Sequence, residues 1–223
     1  MPKPLLKPVE DKKSRIYLID DHPLLVEGIS QLIDSEPDLQ VIGSTGDWTV
    51  ALKKIAELKP DLVILDINLA RANGVEVMKN LRVYYPELRV LMLSMHDESL
   101  YAMRSIRAGA QGYIMKVSAA DQVVTAIRQI LAGEIYLSET IAKQTMFRLV
   151  GRKKEEAVSP LEDLSDRELE VFQMVGDGLT TRQMADRLHL SVKTIETHKA
   201  HIKGKLHLET ATQLAQRAIQ LRP

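Results

Sequence analysis

The stretch Leu62-Val63-Ile64-Leu65-Asp66-Ile67-Asn68 decides the fold of this chain, because a short apolar run in it ends abruptly in a carboxylate. A run that is apolar at every position is typical of a strand covered on both faces of a parallel sheet. Pro60 precedes the run, as expected for the turn that leads into a strand. The strands that this pattern predicts lie at 15–19, 39–43, 62–65, 89–93 and 112–115.

Longer amphipathic segments separate these apolar runs along the chain. Alternation of strand and helix patterns favours right-handed βαβ units, so the sequence predicts an α/β doubly wound five-stranded parallel sheet over residues 14–133. Residues 160–223 hold four helical patterns and no strand signal, which predicts a smaller all-α domain. The predicted helices of the first domain lie at about 23–34, 48–58, 75–84, 99–107 and 120–132.

The remaining segments predict flanking and linking structure. Residues 1–13, rich in proline and lysine, are expected to form a flexible tail, and residues 134–159 a linker with a helix followed by a charged loop. Ser165 followed by Glu168 is a capping-box pattern, so a helix is expected to begin there. Ser191 is expected to cap a later helix in the same way.

Composition limits the function classes that remain. The 223 residues contain 30 Lys and Arg, 30 Asp and Glu and no Cys. A zero net charge argues against a uniformly basic nucleic-acid binder, and the missing cysteines exclude disulfides, thiolate metal sites and thiol nucleophiles. No apolar stretch is long enough to span a membrane, so we expect a cytoplasmic protein without membrane association.

Charged and polar side chains follow the predicted strands at one edge of the sheet. Asp20 and Asp21 follow the first strand, Asp66 the third, Ser94 the fourth and Lys116 the fifth. Ligands of doubly wound sheets bind outside the carboxyl ends of the strands. Three carboxylates close together call for a cation, and hard oxygen ligands favour Mg²⁺. A single Asp at a strand end is more often only a turn residue or helix cap; the combination carries the prediction.

This combination resembles the receiver domain of bacterial response regulators over residues 14–133. The matching motifs are Asp20-Asp21-His22-Pro23, Leu65-Asp66-Ile67-Asn68 with Asn73-Gly74, Leu93-Ser94 and Tyr113-Ile114-Met115-Lys116. Two positions depart from the family pattern, since Leu69-Ala70 stands where Met-Pro is common and Val117 where Pro follows the lysine. Neither departure removes a group that would react.

The resemblance implies a role for each matching residue. Asp66 is expected to accept a phosphoryl group from a sensor histidine kinase. Asp21 and Asp66 are expected to bind Mg²⁺, with Asp20 holding a metal-bound water and Asn68 offering its backbone carbonyl. Lys116 and Ser94 are expected to hold phosphoryl oxygens, and Ser94 and Tyr113 to form a switch pair.

The C-terminal region resembles the four-helix DNA-binding domain of the quorum-sensing and nitrate-regulator (LuxR-type) class, a helix-turn-helix variant. The segments that carry the resemblance are 164–171, 178–188 and 190–206. On a helix over residues 191–206, Ile195, Ile202 and Leu206 fall within about 40° of one another and predict a buried stripe. Residues 191–207 hold four lysines and one glutamate, so a locally basic segment lies within a chain of zero net charge.

The second helix of a helix-turn-helix enters the major groove, with its early residues near the bases. Lys199, Lys203 and Lys205 are expected to contact phosphates, and Glu196 could accept a hydrogen bond from a cytosine amino group. A solvated helix face remains an alternative for each lysine, and packing for His198. The full set of expected DNA-binding residues is Thr181, Arg182, Lys193, Thr194, Glu196, Thr197, His198, Lys199, Ala200, Lys203 and Lys205.

The last predicted helix, at about 210–221, carries small residues along one face. Such a face suits close packing either within the domain or against a second copy of the chain, and the resemblance implies a homodimer. The sequence leaves the two alternatives open. The residues concerned are Ala211, Leu214, Ala215 and Ala218.

The two halves together predict a response-regulator transcription factor, in which phosphorylation of Asp66 switches dimerisation and DNA binding. No enzymatic turnover of a separate substrate is expected. One alternative is a receiver whose DNA binding does not depend on phosphorylation. Another is a phosphohydrolase with Asp66 as nucleophile, although Asn68 stands where haloacid-dehalogenase-like enzymes need a second carboxylate.

Overall fold

The computed structural model describes residues 13–69, 72–95, 98–149 and 160–221. The predicted charged loop at 151–159 and nearly all of the predicted N-terminal tail lie outside these residues. Five strands form the main sheet, and a two-residue hairpin, β4 (Asn68–Leu69) with β5 (Ala72–Asn73), follows the third of them. The main strands are β1 (Ser14–Ile19), β2 (Leu39–Thr45), β3 (Leu62–Asp66), β6 (Arg89–Ser94) and β7 (Gly112–Met115).

The sheet is parallel throughout, with strand order β2-β1-β3-β6-β7. Each strand connects to the next through a helix, as the alternating pattern predicted. Every residue of the central strand β3 is buried, because helices cover both of its faces. The helices of this domain are α1 (Pro23–Asp34), α2 (Trp48–Leu58), α3 (Gly74–Tyr84), α4 (Glu98–Arg107) and α5 (Ala119–Leu131).

Two apolar cores lie on opposite faces of the sheet. One is formed with α1 and α5, through residues such as Ile33 and Ile127. The other is formed with α2, α3 and α4, and it continues without interruption into the C-terminal helices, where Phe172 and Leu188 belong to it. The two halves of the chain therefore share a core in this structure.

The C-terminal part is entirely helical. The Ser165 side chain accepts a hydrogen bond from the Glu168 amide, and the Ser165 amide donates one to the Glu168 carboxylate, so the predicted capping box is confirmed. Ser191 caps the third helix through the Thr194 amide, also as predicted. After α6 (Glu139–Leu149) and a 3₁₀ turn (Pro160–Asp163), the helices are α7 (Asp166–Gly176), α8 (Thr181–Leu188), α9 (Val192–Lys205) and α10 (Ala211–Gln220).

The predicted fold class is thus confirmed: a five-stranded parallel sheet between helices precedes a smaller helical domain. Within the described residues, none of the helices combines the length and hydrophobicity that crossing a membrane requires.

One glycine fixes the position of the loop after β3. The Gly74 amide donates to the Ile67 carbonyl at 2.7 Å, and helix α3 begins directly against the end of the strand. A Cβ atom at position 74 would lie 2.2 Å from the carbonyl oxygen of Asp66 and 2.6 Å from Cα of Ile67. Both obstacles are backbone atoms, which cannot rotate away.

We therefore expect Gly74→Ala to lower the free energy of unfolding by about 1–3 kcal/mol, the usual cost of overpacking. Gly28→Ala is the matched control, because Gly28 lies exposed within α1 and a Cβ there meets nothing within 4 Å. The control is expected to stabilise the protein by about 0.5–1 kcal/mol through helix propensity. Urea denaturation of both variants measures the difference, and equal stabilities would contradict the steric argument.

Candidate functional site

Register between the strands brings the predicted site residues together. Asp66 ends β3 and pairs with Leu93 of β6, whose next residue is Ser94. Ser94 in turn pairs with Met115 of β7, whose next residue is Lys116. Because all of these strands run in the same direction, their polar ends meet at one edge of the sheet.

Three carboxylates and one ammonium group form the centre of this edge. Lys116 Nζ lies 2.8 Å from Asp66 Oδ2 and 2.8 Å from Asp20 Oδ2. Asp20, Asp66 and Lys116 are buried, whereas Asp21 is about one quarter exposed. The single ammonium therefore leaves an excess of negative charge in a poorly solvated place.

Burial is the main reason that the pKa of Asp66 lies above its ordinary value, and the nearby Asp20 carboxylate raises it further. Hydrogen bonds from Lys116 and from the backbone of Asn68 act in the opposite direction. The Asn68 amide donates to Asp66 Oδ1 at 3.1 Å, which orients the carboxylate. Asp66 is thus a buried carboxylate held in one orientation, with one oxygen facing Lys116.

The donor set of this cluster fits a divalent cation. Asp20, Asp21, His22 and Asp66 each offer a ligand atom, and these four atoms lie within 4.8 Å of one another. Asp21 Oδ1 is buried and accepts no hydrogen bond of normal geometry from the described residues. A buried oxygen that accepts no hydrogen bond of normal geometry and an excess of carboxylates both suit a hard cation such as Mg²⁺.

The two predicted switch residues lie in the interior. Ser94 is fully buried and Tyr113 is 1% exposed. A second buried tyrosine, Tyr101 of α4, donates a hydrogen bond to Gln173 Oε1 of α7 at 2.9 Å. Burial, together with the Glu170 carboxylate, raises the pKa of Tyr101 well above its ordinary value, so its hydroxyl keeps its proton at neutral pH.

Helix α9 carries the predicted DNA-binding residues. Ile195 and Ile202 are fully buried and Leu206 is half-buried, in agreement with the predicted stripe. The opposite face is exposed at the positions expected nearest the bases, namely Lys193, Glu196, Thr197 and Ala200.

Several of the predicted DNA-binding side chains already have partners within the chain. Lys205 Nζ lies 2.6 Å from Glu168 Oε2, so its predicted phosphate contact would have to compete with this ion pair. Thr181 Oγ1 donates to Glu196 Oε1 at 2.8 Å and accepts from Lys199 Nζ at 2.9 Å. These bonds link α8 to α9. Arg182 is exposed, and Thr194, His198 and Lys203 are half-buried.

For helix α10 the sequence left open whether its small residues pack within the domain or against a second copy of the chain. Leu214 and Ala218 are buried, and Ala218 lies against Gly176 of α7, so these two residues pack within the chain. Ala211 is exposed and Ala215 is half-buried. Contact with a second copy through α10 remains a prediction for the exposed side of the helix.

The receiver-like domain contacts the C-terminal domain mainly through Arg104 of α4. Its guanidinium donates to the carbonyl oxygens of Leu161 at 2.6 Å, Leu164 at 2.7 Å and Glu162 at 3.3 Å. It also donates to Asp166 Oδ1 at 3.2 Å. The Arg104 side chain is 14% exposed, so these charge-assisted bonds are shielded from water.

Further contacts reach from the loop after β3 and from α3 to helix α7. Asn73 Nδ2 donates to Glu170 Oε2 at 3.3 Å, and Lys79 Nζ lies 2.8 Å from Asp166 Oδ2. Four residues of the receiver-like domain form what we call the interdomain clasp, namely Asn73, Lys79, Tyr101 and Arg104. All four act on the first half of the C-terminal domain, at or near α7.

A cleft of about 360 Å³ separates the carboxylate cluster from α7 and α8. On one side it is lined by Asp21, His22, Asn68 and Lys116. The opposite side includes Arg167, Glu170, Gln173 and Arg187 of the C-terminal domain. The cluster at the end of the sheet therefore opens towards the second domain.

Comparison with known proteins agrees with this architecture. Residues 16–128 match the response regulator receiver domain, and residues 162–218 match the bacterial regulatory proteins of the luxR family. The transcriptional regulatory protein DegU of Brevibacillus brevis is 32% identical over 225 residues, covering 95% of each chain. The chain is a response regulator of the NarL/FixJ family. It therefore belongs to a family of transcription regulators with a LuxR-type helix-turn-helix domain.

Other similar proteins are also regulators of this kind. The oxygen regulatory protein NreC of Staphylococcus epidermidis is 31% identical over 211 residues, covering 92% of this chain and 97% of its own. A LuxR-family response regulator from Aurantimonas is 34% identical and matches 62% of this chain and 99% of its own, with a TM-score of 0.58. RcsB of Salmonella enterica, at 21% identity, covers 94% of this chain and all of its own with a TM-score of 0.66, which shows the shared fold.

Sequence reasoning missed the residues of the interdomain clasp and left the role of His22 open. Arg104 and Lys79 look like ordinary charges of amphipathic helices, and Asp166 like a residue that favours a helix N-terminus. No local signal predicts these contacts between the domains, since the two residues of each bonded pair lie about 60 to 90 positions apart in the sequence. His22 belongs to one of the matching motifs, but its approach to Asp66 depends on β1 and β3 lying side by side in the sheet.

We expect Arg104→Ala to loosen the docking of the C-terminal domain by about 2 kcal/mol or more, because it removes charge-assisted bonds to four acceptors. Hydrogen exchange in α7 should accelerate, and small-angle scattering should show a larger radius of gyration. Arg128→Ala is the control, since Arg128 pairs with Glu36 and Asp38 within the receiver domain. Unchanged exchange in α7 of the Arg104 variant would contradict the clasp.

Proposed function

We propose that this response regulator accepts a phosphoryl group on Asp66 from a sensor histidine kinase and thereby controls its binding to DNA as a homodimer. The observation that supports this most directly is the geometry at Asp66. A buried carboxylate oxygen lies 2.8 Å from Lys116 Nζ, beside Asp20 and Asp21, at the end of the central strand. No ordinary structural role requires three carboxylates at one place.

The transfer would begin with attack of an Asp66 carboxylate oxygen on the phosphorus of a phosphohistidine. The new bond joins that oxygen to phosphorus, and the phosphorus–nitrogen bond breaks, so the electron pair leaves with the imidazole of the kinase. Lys116 and Ser94 would receive the phosphoryl oxygens, because both lie at neighbouring strand ends. Positioning and charge neutralisation supply most of the catalysis in such transfers.

A divalent cation would be held by Asp21 and Asp66 with the backbone carbonyl of Asn68, and Asp20 would hold a metal-bound water. Bound Mg²⁺ neutralises charge on the transferring phosphoryl group. The carboxylates themselves would hold the cation and orient its water molecules. Asn68 also fixes Asp66 through its amide, so the loop after β3 contributes to both tasks.

Phosphorylation would act on the interdomain clasp. The added charge of about −2 would draw Ser94 and Lys116 towards Asp66 and rearrange Tyr113. Tyr101 and Arg104 of α4 follow this part of the sheet, and both bind the C-terminal domain. We propose that the docked position of the C-terminal domain is thereby weakened.

Control through the clasp fits the exposure of helix α9. The residues expected nearest the bases are exposed even in this docked arrangement, so the receiver domain does not cover them. We infer that docking restrains the orientation of α9 rather than its accessibility, and that release allows two protomers to meet two half-sites about one helical turn apart. RcsB of Salmonella, which shares the fold at 21% identity, has been solved bound to a promoter in the presence of phosphomimetic BeF₃⁻.

The proposed domain limits are 14–133 for the receiver domain, 134–159 for the linker and 160–223 for the DNA-binding domain. On this proposal the protein acts in the cytoplasm, where DNA and the kinase donor domain are accessible. We do not favour a phosphohydrolase, because Asn68 lies two residues after the nucleophile and offers no second carboxylate for acid–base work.

Incubation with Mg²⁺ and acetyl phosphate is expected to add the mass of one phosphoryl group to the intact chain, and Asp66→Ala should abolish the gain. The exposed Asp121 provides a matched control, since Asp121→Asn should leave the gain unchanged. Intact-mass spectrometry measures all three proteins. A gain that survives Asp66→Ala would contradict the proposal, as would no gain in the wild type.

Selected-site DNA binding should separate base contacts from phosphate contacts on α9. Thr197→Ala is expected to reduce discrimination between sites, by about 1–3 kcal/mol if the residue contacts a base. Lys203→Ala should weaken binding to all sequences alike and reduce the slope of log affinity against log salt by about one. Lys53→Ala, an exposed lysine of α2, is the control. Identical salt slopes for Lys203→Ala and Lys53→Ala would contradict the interface.

A further inference from the structure

His22 contributes a nitrogen atom to the carboxylate cluster of the phosphorylation site. Its Nδ1 lies 2.8 Å from Asp20 Oδ1, 3.0 Å from Asp21 Oδ1 and 3.8 Å from Asp66 Oδ2. Lys116 Nζ lies 3.3 Å from the same nitrogen. The imidazole is thus directed into the centre of the cluster rather than away from it.

The backbone holds the ring in this place. The His22 amide donates to Asp20 Oδ1 at 2.9 Å, and His22 precedes α1 in an extended conformation. Pro23 follows as the first helical residue, where its fixed φ angle restricts the turn. The side chain is 57% exposed, so Nδ1 faces the carboxylates while the rest of the ring faces the cleft.

Cation coordination can replace the present hydrogen bond with little movement of the ring. An Nδ1–H group that donates to a carboxylate and an Nδ1 lone pair that binds a metal ion point in the same direction. The proton can then reside on Nε2, on the solvent side. His22 Nδ1 lies 2.8 to 3.8 Å from carboxylate oxygens of all three aspartates, and the four ligand atoms lie within 4.8 Å of one another, so they could share one ion directly or through a bound water.

We propose that His22 is a direct ligand of the cation site and gives this receiver a preference for nitrogen-binding transition ions such as Mn²⁺, Ni²⁺ or Zn²⁺ over Mg²⁺. Mg²⁺ takes oxygen ligands and keeps several waters, so it gains little from the imidazole. The transition ions bind imidazole well, and their affinities for such a mixed site rise from Mn²⁺ to Ni²⁺. The inference rests on the proposed cation site but not on phosphorylation itself.

The identity of the bound ion would then alter the phosphorylation site. An ion bound by His22 as well as by Asp21 and Asp66 would retain fewer waters, so fewer positions would remain for phosphoryl oxygens. We infer that transition ions compete with Mg²⁺ for the unphosphorylated site. The response regulator would then report on metal status in addition to the signal from its kinase.

The test is performed on the full unphosphorylated chain with Mn²⁺ as a spectroscopic probe. Electron spin echo measurements on the wild type are expected to show a directly bound nitrogen, and this signal should be lost in His22→Ala. Calorimetric titrations with Ni²⁺ and with Mg²⁺ give the selectivity. We expect His22→Ala to weaken Ni²⁺ binding by about tenfold or more, because losing even an outer-shell partner of a metal ligand costs about 10–100-fold in affinity. The affinity for Mg²⁺ should change much less.

Controls keep the result specific to the site. His201→Ala removes an exposed histidine of α9 and should leave both measurements unchanged. His22→Asn provides a second variant that keeps a polar side chain, and circular dichroism verifies that each variant is folded. An unchanged nitrogen signal in His22→Ala, or no signal in the wild type, would overturn the inference. Equal losses of Ni²⁺ and Mg²⁺ affinity would also overturn it, since His22 would then only shape the carboxylates.

The outcome is separable from that of the proposed function. Phosphorylation of the wild type with Mg²⁺ and acetyl phosphate, without the nitrogen signal, would leave the phosphorylation proposal intact and reject His22 as a ligand. A nitrogen signal in a protein that acetyl phosphate fails to modify would do the opposite.

Discussion

Repulsion among Asp20, Asp21 and Asp66 is opposed inside the cluster by the ammonium group of Lys116, and the site depends on this balance. Burial, and to a smaller extent the nearby Asp20 carboxylate, raises the pKa of Asp66, so negative charge is unfavourable in this place. The carboxylates persist because fully buried strands, covered by helices on both faces, hold the backbone on which they stand. Functional sites commonly lower stability in this way, since an excess of negative charge is what attracts a cation.

The same sheet edge connects the site to the second domain. Asn73 belongs to the loop after Asp66 and binds Glu170, while Tyr101 and Arg104 lie on the helix after Ser94 and bind α7 and the turn before it. On the proposed function, charge added at Asp66 would change the surroundings of residues that hold the two domains together. Because the side of α9 that is predicted to face the bases is exposed in the docked form, the proposed regulation through orientation agrees with the structure better than regulation through covering.

Local patterns predicted the elements of this protein closely, and long-range contacts explain what they missed. The strand at 62–65 and the helix at 23–34 were predicted nearly to the residue, since β3 is apolar throughout and Pro23 marks the start of α1. The polar strand ends predicted which residues meet, because parallel strands end at one edge. Arg104 was missed, since a buried arginine on an amphipathic helix has no distinguishing pattern before its distant acceptors are known.

The sequence by itself determined the fold class, the family and the composition of the carboxylate site, because each of these depends on residue type and spacing along the chain. Tertiary structure alone decided how His22 is directed among three carboxylates, which α9 side chains are already paired, and how Arg104 joins the two domains. The physical reason is that these properties depend on distances between atoms far apart in the sequence, and such distances are set by the packing of the cores on either side of the sheet.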